Sequence, residues 1–190
     1  MSQAKTLNET EIAQVLDYVS KRRYGVRDRA LLRTSHLSGM RVGEIASLTI
    51  KHVLDAKGNI RNEIRLTAEQ TKGKHPRTVF VSKKLKEELS RYLPMIRTDD
   101  GERTLFPTQK CPRRGFTANT LTQHFLTLYR ACGLEGASSH SGRRTYATAI
   151  ASQGVGLRVL MRLMGHRNVS TTAVYIDAND NMLRNAVELV

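Results

Sequence analysis

The sequence predicts a mainly α-helical domain that contains one small, three-stranded antiparallel β-sheet. Apolar residues recur at helical spacing before residue 49 and after residue 82, which is the pattern of amphipathic helices. Between those positions the residues change to strand formers separated by turn signals. A chain of 190 residues can bury a sizeable core in one domain. We therefore expect residues 1–190 to form a single domain.

The first two helices are predicted from the residues at their ends. Asn8 and Glu11 form a variant of the capping box, and apolar residues at helical spacing follow them to about Ser20. A second, more buried helix is expected over residues 27–37. A break at Gly39 ends it.

A short helix is expected to begin at Arg41. A positive charge is disfavoured there, because the N-terminal end of a helix carries the positive end of its dipole. The position therefore suggests a nearby anion, although an ordinary surface arginine would also fit this residue taken alone. Glu44, one turn later, would either brace the guanidinium or be solvated, and we favour bracing.

Turn signals at residues 57–59 and 72–74 divide the strand-forming segment into a sheet with two hairpins. Lys72 and Lys74 occupy the second turn, where lysines are usually only exposed to solvent. The three predicted strands are Ile50–Leu54, Ile60–Thr67 and Thr78–Val81.

Helices are predicted again after the sheet. The expected segments are Lys83–Tyr92, a helix capped by Thr117 that ends at Gly133, a helix carrying His140, Arg143 and Tyr146, a helix around Leu157–Leu163, and a last helix over Asn179–Val190. The loop between the first two carries Lys110, Arg113 and Arg114, which are candidates for contact with a nucleic-acid backbone.

The charge balance points to a polyanionic partner. The chain has 31 Lys and Arg against 17 Asp and Glu, a formal net charge of +14. A surface this basic most often binds nucleic acid. Between Arg103 and Ile176 the only acidic residue is Glu135, so we expect this half of the chain to face the phosphates.

Several classes of protein are disfavoured by composition. Cys111 and Cys132 lack a CxxC partner, so neither a zinc site nor a disulfide framework is indicated. The chain contains no apolar run near 18 residues and no signal-peptide pattern at its start. We expect a protein of the reducing cytoplasm, associated with the nucleoid and not with a membrane.

The stretch from His140 to Tyr175 has the composition of an anion site. It holds five arginines, two histidines and two tyrosines but no acidic residue. Without carboxylates it offers little to a divalent metal. His140 and Arg143 are spaced i, i+3, so on a helix their polar ends converge.

Four sequence blocks, in this order, resemble the tyrosine recombinases of the phage-integrase family. Any one block is weak evidence, but together they span most of the chain. The blocks are Ser38-Gly39-Met40-Arg41-Val42-Gly43-Glu44-Ile45-Ala46-Ser47-Leu48, the hairpin lysine of Thr71-Lys72-Gly73-Lys74, His140-x-x-Arg143, and Leu163-x-Gly165-His166 followed nine residues later by Tyr175.

The resemblance implies the same mainly helical fold and a site-specific recombinase or integrase. Such an enzyme cleaves and rejoins DNA strands through a covalent 3′-phosphotyrosyl intermediate, without metal, ATP or another cofactor. The catalytic residues it implies are Arg41, Lys72, His140, Arg143, His166 and Tyr175, with Glu44 in support. The residues expected to contact DNA are Lys74, Arg77, Lys110, Arg113, Arg114 and Arg144.

The chemistry of a phosphodiester suggests a role for each catalytic residue. Arginine forks stabilise the negative charge that builds on non-bridging oxygens. A tyrosine becomes a nucleophile once a base accepts its proton, and the leaving oxygen needs a proton in turn. The expected roles are charge stabilisation for Arg41 and Arg143, nucleophile for Tyr175, proton acceptor for His140, hydrogen-bond donor to phosphate for His166, and proton donor for Lys72.

Double-stranded DNA is the partner that the resemblance implies. It further implies self-association on DNA as a tetramer, with residues 179–190 as a candidate contact between protomers, and help from accessory proteins. Two features depart from the family pattern. No N-terminal DNA-clamping domain is evident, since only about forty residues precede Arg41, and Gly142 and Arg144 stand where many relatives have Leu and His.

Two other functions remain as alternatives. A topoisomerase-like relaxing enzyme would use the same chemistry, and a basic regulator would bind DNA without cutting it. The complete set of six catalytic residues argues against the regulator, because binding alone does not require tyrosine or histidine at those positions.

Overall fold

The structure is a computed structural model that describes residues 3–109, 111, 114–176 and 187–188. Within these residues the chain is mainly helical with a small antiparallel sheet, which confirms the predicted class. The elements are α1 (Glu9–Ser20), α2 (Gly25–Ser38), α3 (Val42–Ala46), α4 (Ile50–Val53), β1 (Glu63–Leu66), β2 (Arg77–Phe80), α5 (Lys83–Tyr92), a 3₁₀ turn (Leu93–Met95), α6 (Ala118–Ala131), α7 (Ser141–Ala151), α8 (Leu157–Met164) and α9 (Val169–Ala173).

The first helix begins and ends where its signals predict. The Asn8 side chain accepts from the Glu11 amide at 2.9 Å, and the Glu11 carboxylate accepts from the Asn8 amide at 3.0 Å. Two otherwise unpaired backbone groups are therefore satisfied at the start of α1. Its buried face carries Val15 and Val19.

The second helix is the central one, and it packs against α1, α5 and α7. Leu31 and Leu32 are fully buried along it. It ends at Gly39, whose φ of +62° lies in the left-handed region that favours glycine. The predicted break at this position is confirmed.

The first predicted strand is wrong, because Ile50–Leu54 contains the short helix α4. Thr49 caps this helix, with its amide donating to His52 Nδ1 at 3.1 Å. Ile50 and Val53 are both buried, and their i, i+3 spacing places them on one side of a helix. Burial of that face outweighs the preference of β-branched residues for strands.

The described sheet therefore has two strands instead of three. β1 and β2 pair antiparallel, with Glu63 opposite Phe80 and Leu66 opposite Arg77. The first predicted hairpin survives only as an isolated bridge between Leu54 and Ile60. The second predicted turn is present as the connection that carries Lys72 and Lys74.

Two apolar clusters hold the helices together. The larger cluster is built from α1, α2, α5, α6 and the sheet. A smaller one joins α7 to α8 through Ala147, Ala151, Leu160 and Met164, and Tyr175 packs against it. The smaller cluster fixes the spacing of the two helices that carry or precede the predicted site residues.

The remaining helix predictions have different outcomes. α5 has the predicted bounds, and Thr117 caps α6 by accepting from the Thr120 amide at 3.2 Å. The predicted helix Asn179–Val190 falls outside the described residues except for residues 187 and 188. None of the described helices combines the length and apolar character needed to cross a membrane.

Candidate active site

The predicted catalytic residues come from five separate segments that converge. Arg41 precedes α3, Lys72 lies in the turn between β1 and β2, His140 immediately precedes α7, and Arg143 lies in the first turn of α7. His166 follows α8 and Tyr175 follows α9. A cleft of about 530 Å³ lies beside three of these segments, and its lining includes Arg41, Lys72 and His166.

Arg143 is the buried centre of the site, with only 4% of its surface exposed. Its guanidinium donates to the Gly39 carbonyl, to the Met164 carbonyl at 2.5 Å and to His166 Nε2 at 2.8 Å. Burial lowers the pKa of Arg143, and the neighbouring cations Arg41 and Arg77 lower it further. A bound anion would relieve both effects, as expected of a phosphate site.

Gly142 explains how Arg143 comes so close to the end of α2. A Cβ atom at this position would lie 2.2 Å from Ser35 Oγ and 2.7 Å from His36 Cδ2. Both neighbours are buried residues of α2. The absence of a side chain at Gly142 therefore permits close packing of α7 on α2.

Glu44 braces Arg41, as predicted. Its carboxylate accepts from the Arg41 amide at 2.7 Å and from Arg41 Nη1 at 3.2 Å. Burial raises the pKa of the Glu44 carboxyl, but hydrogen bonds and charge from Arg77, and the hydrogen bond from Arg41, lower it more. Glu44 is therefore ionised and is a counter-ion within the site.

Arg77 was expected to contact DNA, but it lies inside the site. Only 9% of its side chain is exposed. Its Nη2 and Nε donate to Glu44 at 2.7 and 3.2 Å, and its Nη1 donates to the Leu163 carbonyl at 2.9 Å. These contacts differ from those of a surface arginine that waits for a phosphate.

His166 is held between Arg143 and Thr172. Because an arginine only donates, the Nε2 that faces Arg143 is the acceptor, and Nδ1–H donates to Thr172 Oγ1 at 2.9 Å. Burial, together with the charges of Arg143 and Arg41, lowers the pKa of His166 to about 4. Without an anion, His166 therefore accepts a hydrogen bond where the sequence analysis expected a donor.

His140 stands immediately before α7, with its ring partly exposed. Desolvation lowers the pKa of His140, and the charges of Arg143, Arg41 and Lys72 lower it further. The imidazole is consequently neutral at pH 7. That is the protonation state a proton acceptor needs.

Thr71 organises the turn that presents Lys72. Its hydroxyl donates to the His75 carbonyl at 2.8 Å and accepts from the His75 amide at 3.0 Å. The turn places Lys72 on the lining of the cleft. Lys74, with a φ of +52°, is exposed and is not part of that lining.

Tyr175 lies between His166 on one side and Arg144 on the other. Its ring is stacked with that of His166, with centroids 6.2 Å apart. The Arg144 guanidinium carbon lies 5.8 Å from the Tyr175 ring centroid, and Arg144 Nε donates to Thr6 Oγ1 at 3.0 Å. Arg144, expected to contact DNA, is thus half-buried beside the candidate nucleophile.

Of the other predicted contact residues, Arg114 and Lys74 are exposed, whereas Lys110 and Arg113 lie outside the described residues. Sequence reasoning assigned no role to Thr172 or Thr71, because both act through partners that only the tertiary fold brings close. Among the described residues no group of three or more His, Cys, Asp and Glu side chains could hold a metal ion.

A mainly helical domain that brings two arginines, two histidines, a lysine and a tyrosine close together has the arrangement expected of a tyrosine recombinase catalytic domain. The chain belongs to the phage integrase family, whose family model matches residues 5–182.

Similar proteins agree with this membership. The chain is 27% identical over 184 residues to tyrosine recombinase XerA of Pyrococcus furiosus, which covers 97% of this chain and 61% of that protein. It is 25% identical over 193 residues to tyrosine recombinase XerD of Rickettsia prowazekii, and the match covers 95% of this chain and 61% of that protein. The chain thus spans about three fifths of the length of these curated relatives.

Solved structures show the same architecture. The crystal structure of XerA recombinase matches with a TM-score of 0.75 at 25% identity, covering 100% of this chain and 66% of that one. The Tn1549 transposon integrase in complex with transposon right end DNA matches with a TM-score of 0.74 at 17% identity, covering 99% and 66%. The second match supports the fold alone.

Proposed function

We propose that this chain is the catalytic part of a site-specific recombinase that cleaves and rejoins double-stranded DNA through a tyrosine. One observation carries the proposal: Arg41 and Arg143 lie at one site with His140, His166 and Tyr175, and the site's buried carboxylate, Glu44, is already paired. Such a site has an excess of positive charge that a phosphodiester would neutralise.

The proposed first step is attack by the Tyr175 hydroxyl oxygen on the phosphorus of the scissile phosphate. The phenol must lose its proton during the attack, because its oxygen forms the new bond to phosphorus. His140 accepts that proton, since its lowered pKa leaves the ring neutral. The bond from phosphorus to the 5′ oxygen breaks, and Lys72 donates a proton to that oxygen.

Arg41 and Arg143 stabilise the charge on the non-bridging oxygens as the bond order changes. Fixed donors in a partly desolvated site stabilise the negative charge of the transition state more than the same donors do in water. A phosphate that draws Arg143 away from His166 would also raise the pKa of His166 by supplying a negative charge. His166 would then gain the proton it needs to donate to the phosphate.

The products of cleavage are a 3′-phosphotyrosyl protein and a free 5′-hydroxyl. A 5′-hydroxyl from another strand attacks the phosphotyrosine, and Tyr175 leaves with its proton restored. The covalent bond to tyrosine conserves the energy of the phosphodiester, so the exchange requires no ATP, and the arginines stabilise the charge that a metal would otherwise stabilise. We further propose that protomers assemble on DNA as a tetramer, with residues 179–190 as one contact.

A nicked suicide substrate tests this function against binding without cleavage. The nick lies a few nucleotides beyond the scissile phosphate, so the short 5′-hydroxyl fragment diffuses away and rejoining is blocked. Inverted repeats in the DNA flanking the gene provide the candidate sites. We expect a labelled, protease-sensitive adduct on a denaturing gel.

Each alternative gives a different result in the same experiment. A regulator that only binds DNA would retard the substrate on a native gel and leave no adduct on the denaturing gel. A topoisomerase-like enzyme would form the adduct and relax supercoiled plasmid without exchanging strands between two sites. Exchange between two labelled sites therefore separates recombination from relaxation.

A further inference from the structure

The carboxyl end of α8 is held by two arginines. The last four carbonyls of a helix lack partners within it. Here the amides of Gly165 and His166 donate to the Arg162 and Met161 carbonyls at 3.1 and 3.0 Å. The other two carbonyls, those of Leu163 and Met164, accept from Arg77 and Arg143 respectively.

The same Arg77 guanidinium also joins α8 to α3. Two of its nitrogens donate to the Glu44 carboxylate, and Glu44 in turn holds both the backbone amide and the side chain of Arg41. A single side chain therefore connects the helix end that presents His166 with the residue that braces Arg41. Lysine has no planar fork and could not satisfy both partners in this geometry.

Gly165 makes room for this connection. A Cβ atom there would lie 2.6 Å from Arg77 Cδ and 3.2 Å from Arg77 Nε. The φ of Gly165 is +61°, so the turn after α8 also requires a residue that tolerates the left-handed region. The Gly165-His166 pair thus both turns the chain and accommodates the arginine beneath it.

Direct contact of Arg77 with DNA would disrupt these interactions. Each of its three nitrogens already donates to a protein acceptor, and because only 9% of the side chain is exposed, the two remaining N–H groups have little access to the surface. A phosphate could replace Glu44 only by leaving a carboxylate that is 1% exposed without its strongest partner. Loss of a close partner from a buried carboxylate is strongly destabilising.

We propose that Arg77 is a positioning residue that sets Arg41 and His166 relative to each other, and that it does not bind DNA phosphate. The proposal rests on the proposed function for its catalytic consequence. Its structural part is the bridge that Arg77 forms between Glu44 and the Leu163 carbonyl at the end of α8. This bridge holds whether or not the chain cleaves DNA.

The test compares Arg77→Met with Arg114→Ala, an exposed arginine, as the matched control. We expect Arg77→Met to bind DNA with a dissociation constant within about twofold of wild type and an unchanged dependence on salt. Its single-turnover cleavage at saturating DNA should fall about 100-fold, the order expected when catalytic groups shift by about 1 Å. Arg77→Lys should recover part of that loss.

A phosphate contact would give the opposite pattern. Loss of one contact lowers the slope of log affinity against log salt by about one and weakens binding to all sequences. That result for Arg77→Met, with cleavage at saturating DNA preserved, would overturn the proposal. Arg114→Ala is expected to change binding and to leave saturated cleavage intact.

A readout without catalysis separates this proposal from the proposed function. In ¹⁵N spectra of histidine-labelled protein, the Nδ1–H form of His166 should be lost in Arg77→Met and kept in Arg114→Ala. The double variant Arg77→Met with Glu44→Gln should be more stable than Arg77→Met, because it removes a buried charge that keeps Arg41 as its partner but has lost Arg77. An unchanged His166 signal in Arg77→Met would refute the claim that the Arg77 bridge positions His166, even if wild type forms no adduct.

Discussion

Close packing of α7 on α2 predicts that Gly142→Ala damages both stability and cleavage. The added methyl group would meet Ser35 Oγ at 2.2 Å and His36 Cδ2 at 2.7 Å. The hydroxyl can rotate away, but the His36 ring is buried and contacts the Tyr129 hydroxyl at 3.3 Å. One of the helices must therefore move.

The magnitude follows from two opposing effects. Overpacking a core typically costs about 1–3 kcal/mol, and contacts this short favour the upper end. Replacing a helix glycine by alanine returns about 1 kcal/mol through helix propensity. We expect a net loss of about 2 kcal/mol, which for a chain of this size corresponds to a melting temperature lower by about 4–8 °C.

Gly43→Ala is the matched control for stability. Gly43 also lies inside a helix, and a Cβ atom there meets only Ala118 Cβ at an ordinary 3.6 Å. We expect this variant to be as stable as wild type or slightly more stable. Ser35→Ala should relieve part of the defect when combined with Gly142→Ala, since it removes the nearest atom.

The cleavage rate of Gly142→Ala is expected to fall by more than the loss of folded protein would explain. Displacing α7 moves Arg143 away from the Gly39 and Met164 carbonyls that orient it. A shift of about 1 Å costs on the order of 100-fold in rate. The measurements are thermal melting and single-turnover cleavage at a temperature where the variant is folded. Wild-type values for both would refute the packing argument.

Three further predictions concern the leaving group, metals and pH. Sulfur in place of the bridging 5′ oxygen should restore cleavage by Lys72→Ala, because a thiol with a pKa of about 8.5 leaves without the proton that an alkoxide needs; rescue of Lys74→Ala instead would reassign the acid. Cleavage should proceed in excess EDTA, and reversible loss that magnesium restores would contradict a metal-free site. Burial lowers the pKa of His36 to about 4, below the reference value of about 6.5, so the unfolded chain binds more protons over that interval. The free energy of unfolding should therefore fall as pH drops from about 6.5 towards about 4, and urea titrations of wild type and His36→Asn should show a smaller fall in the variant.

Local signals in the sequence were enough for several elements. The capping box at Asn8 and Glu11, the glycine break after α2 and the bracing of Arg41 by Glu44 all involve residues within a few positions of each other. The strand predicted at Ile50–Leu54 was wrong because alternation and i, i+3 spacing overlap in a short apolar run. Burial of Ile50 with Val53 decided between them.

The arrangement within the site depended on distant contacts. Arg77 and Leu163 are 86 positions apart, so only the charge of Arg77 was evident before the fold was known, and a contact with DNA was the reasonable expectation. The direction of the hydrogen bond at His166 likewise depends on Arg143 and Thr172 meeting it from opposite sides. Residue types and order therefore indicated candidate members of the site, while the contacts of those residues required the fold.

Mapping the residue that becomes linked to DNA tests the central claim most directly. Tyr146 is the natural competitor for Tyr175, because it packs against the same small apolar cluster, where burial raises its pKa. Digestion of the trapped adduct followed by mass spectrometry should find the nucleotide on Tyr175. Tyr146→Phe should still form the adduct, whereas Tyr175→Phe should bind DNA and form none. A linkage at another residue, or an adduct formed by Tyr175→Phe, would contradict the account.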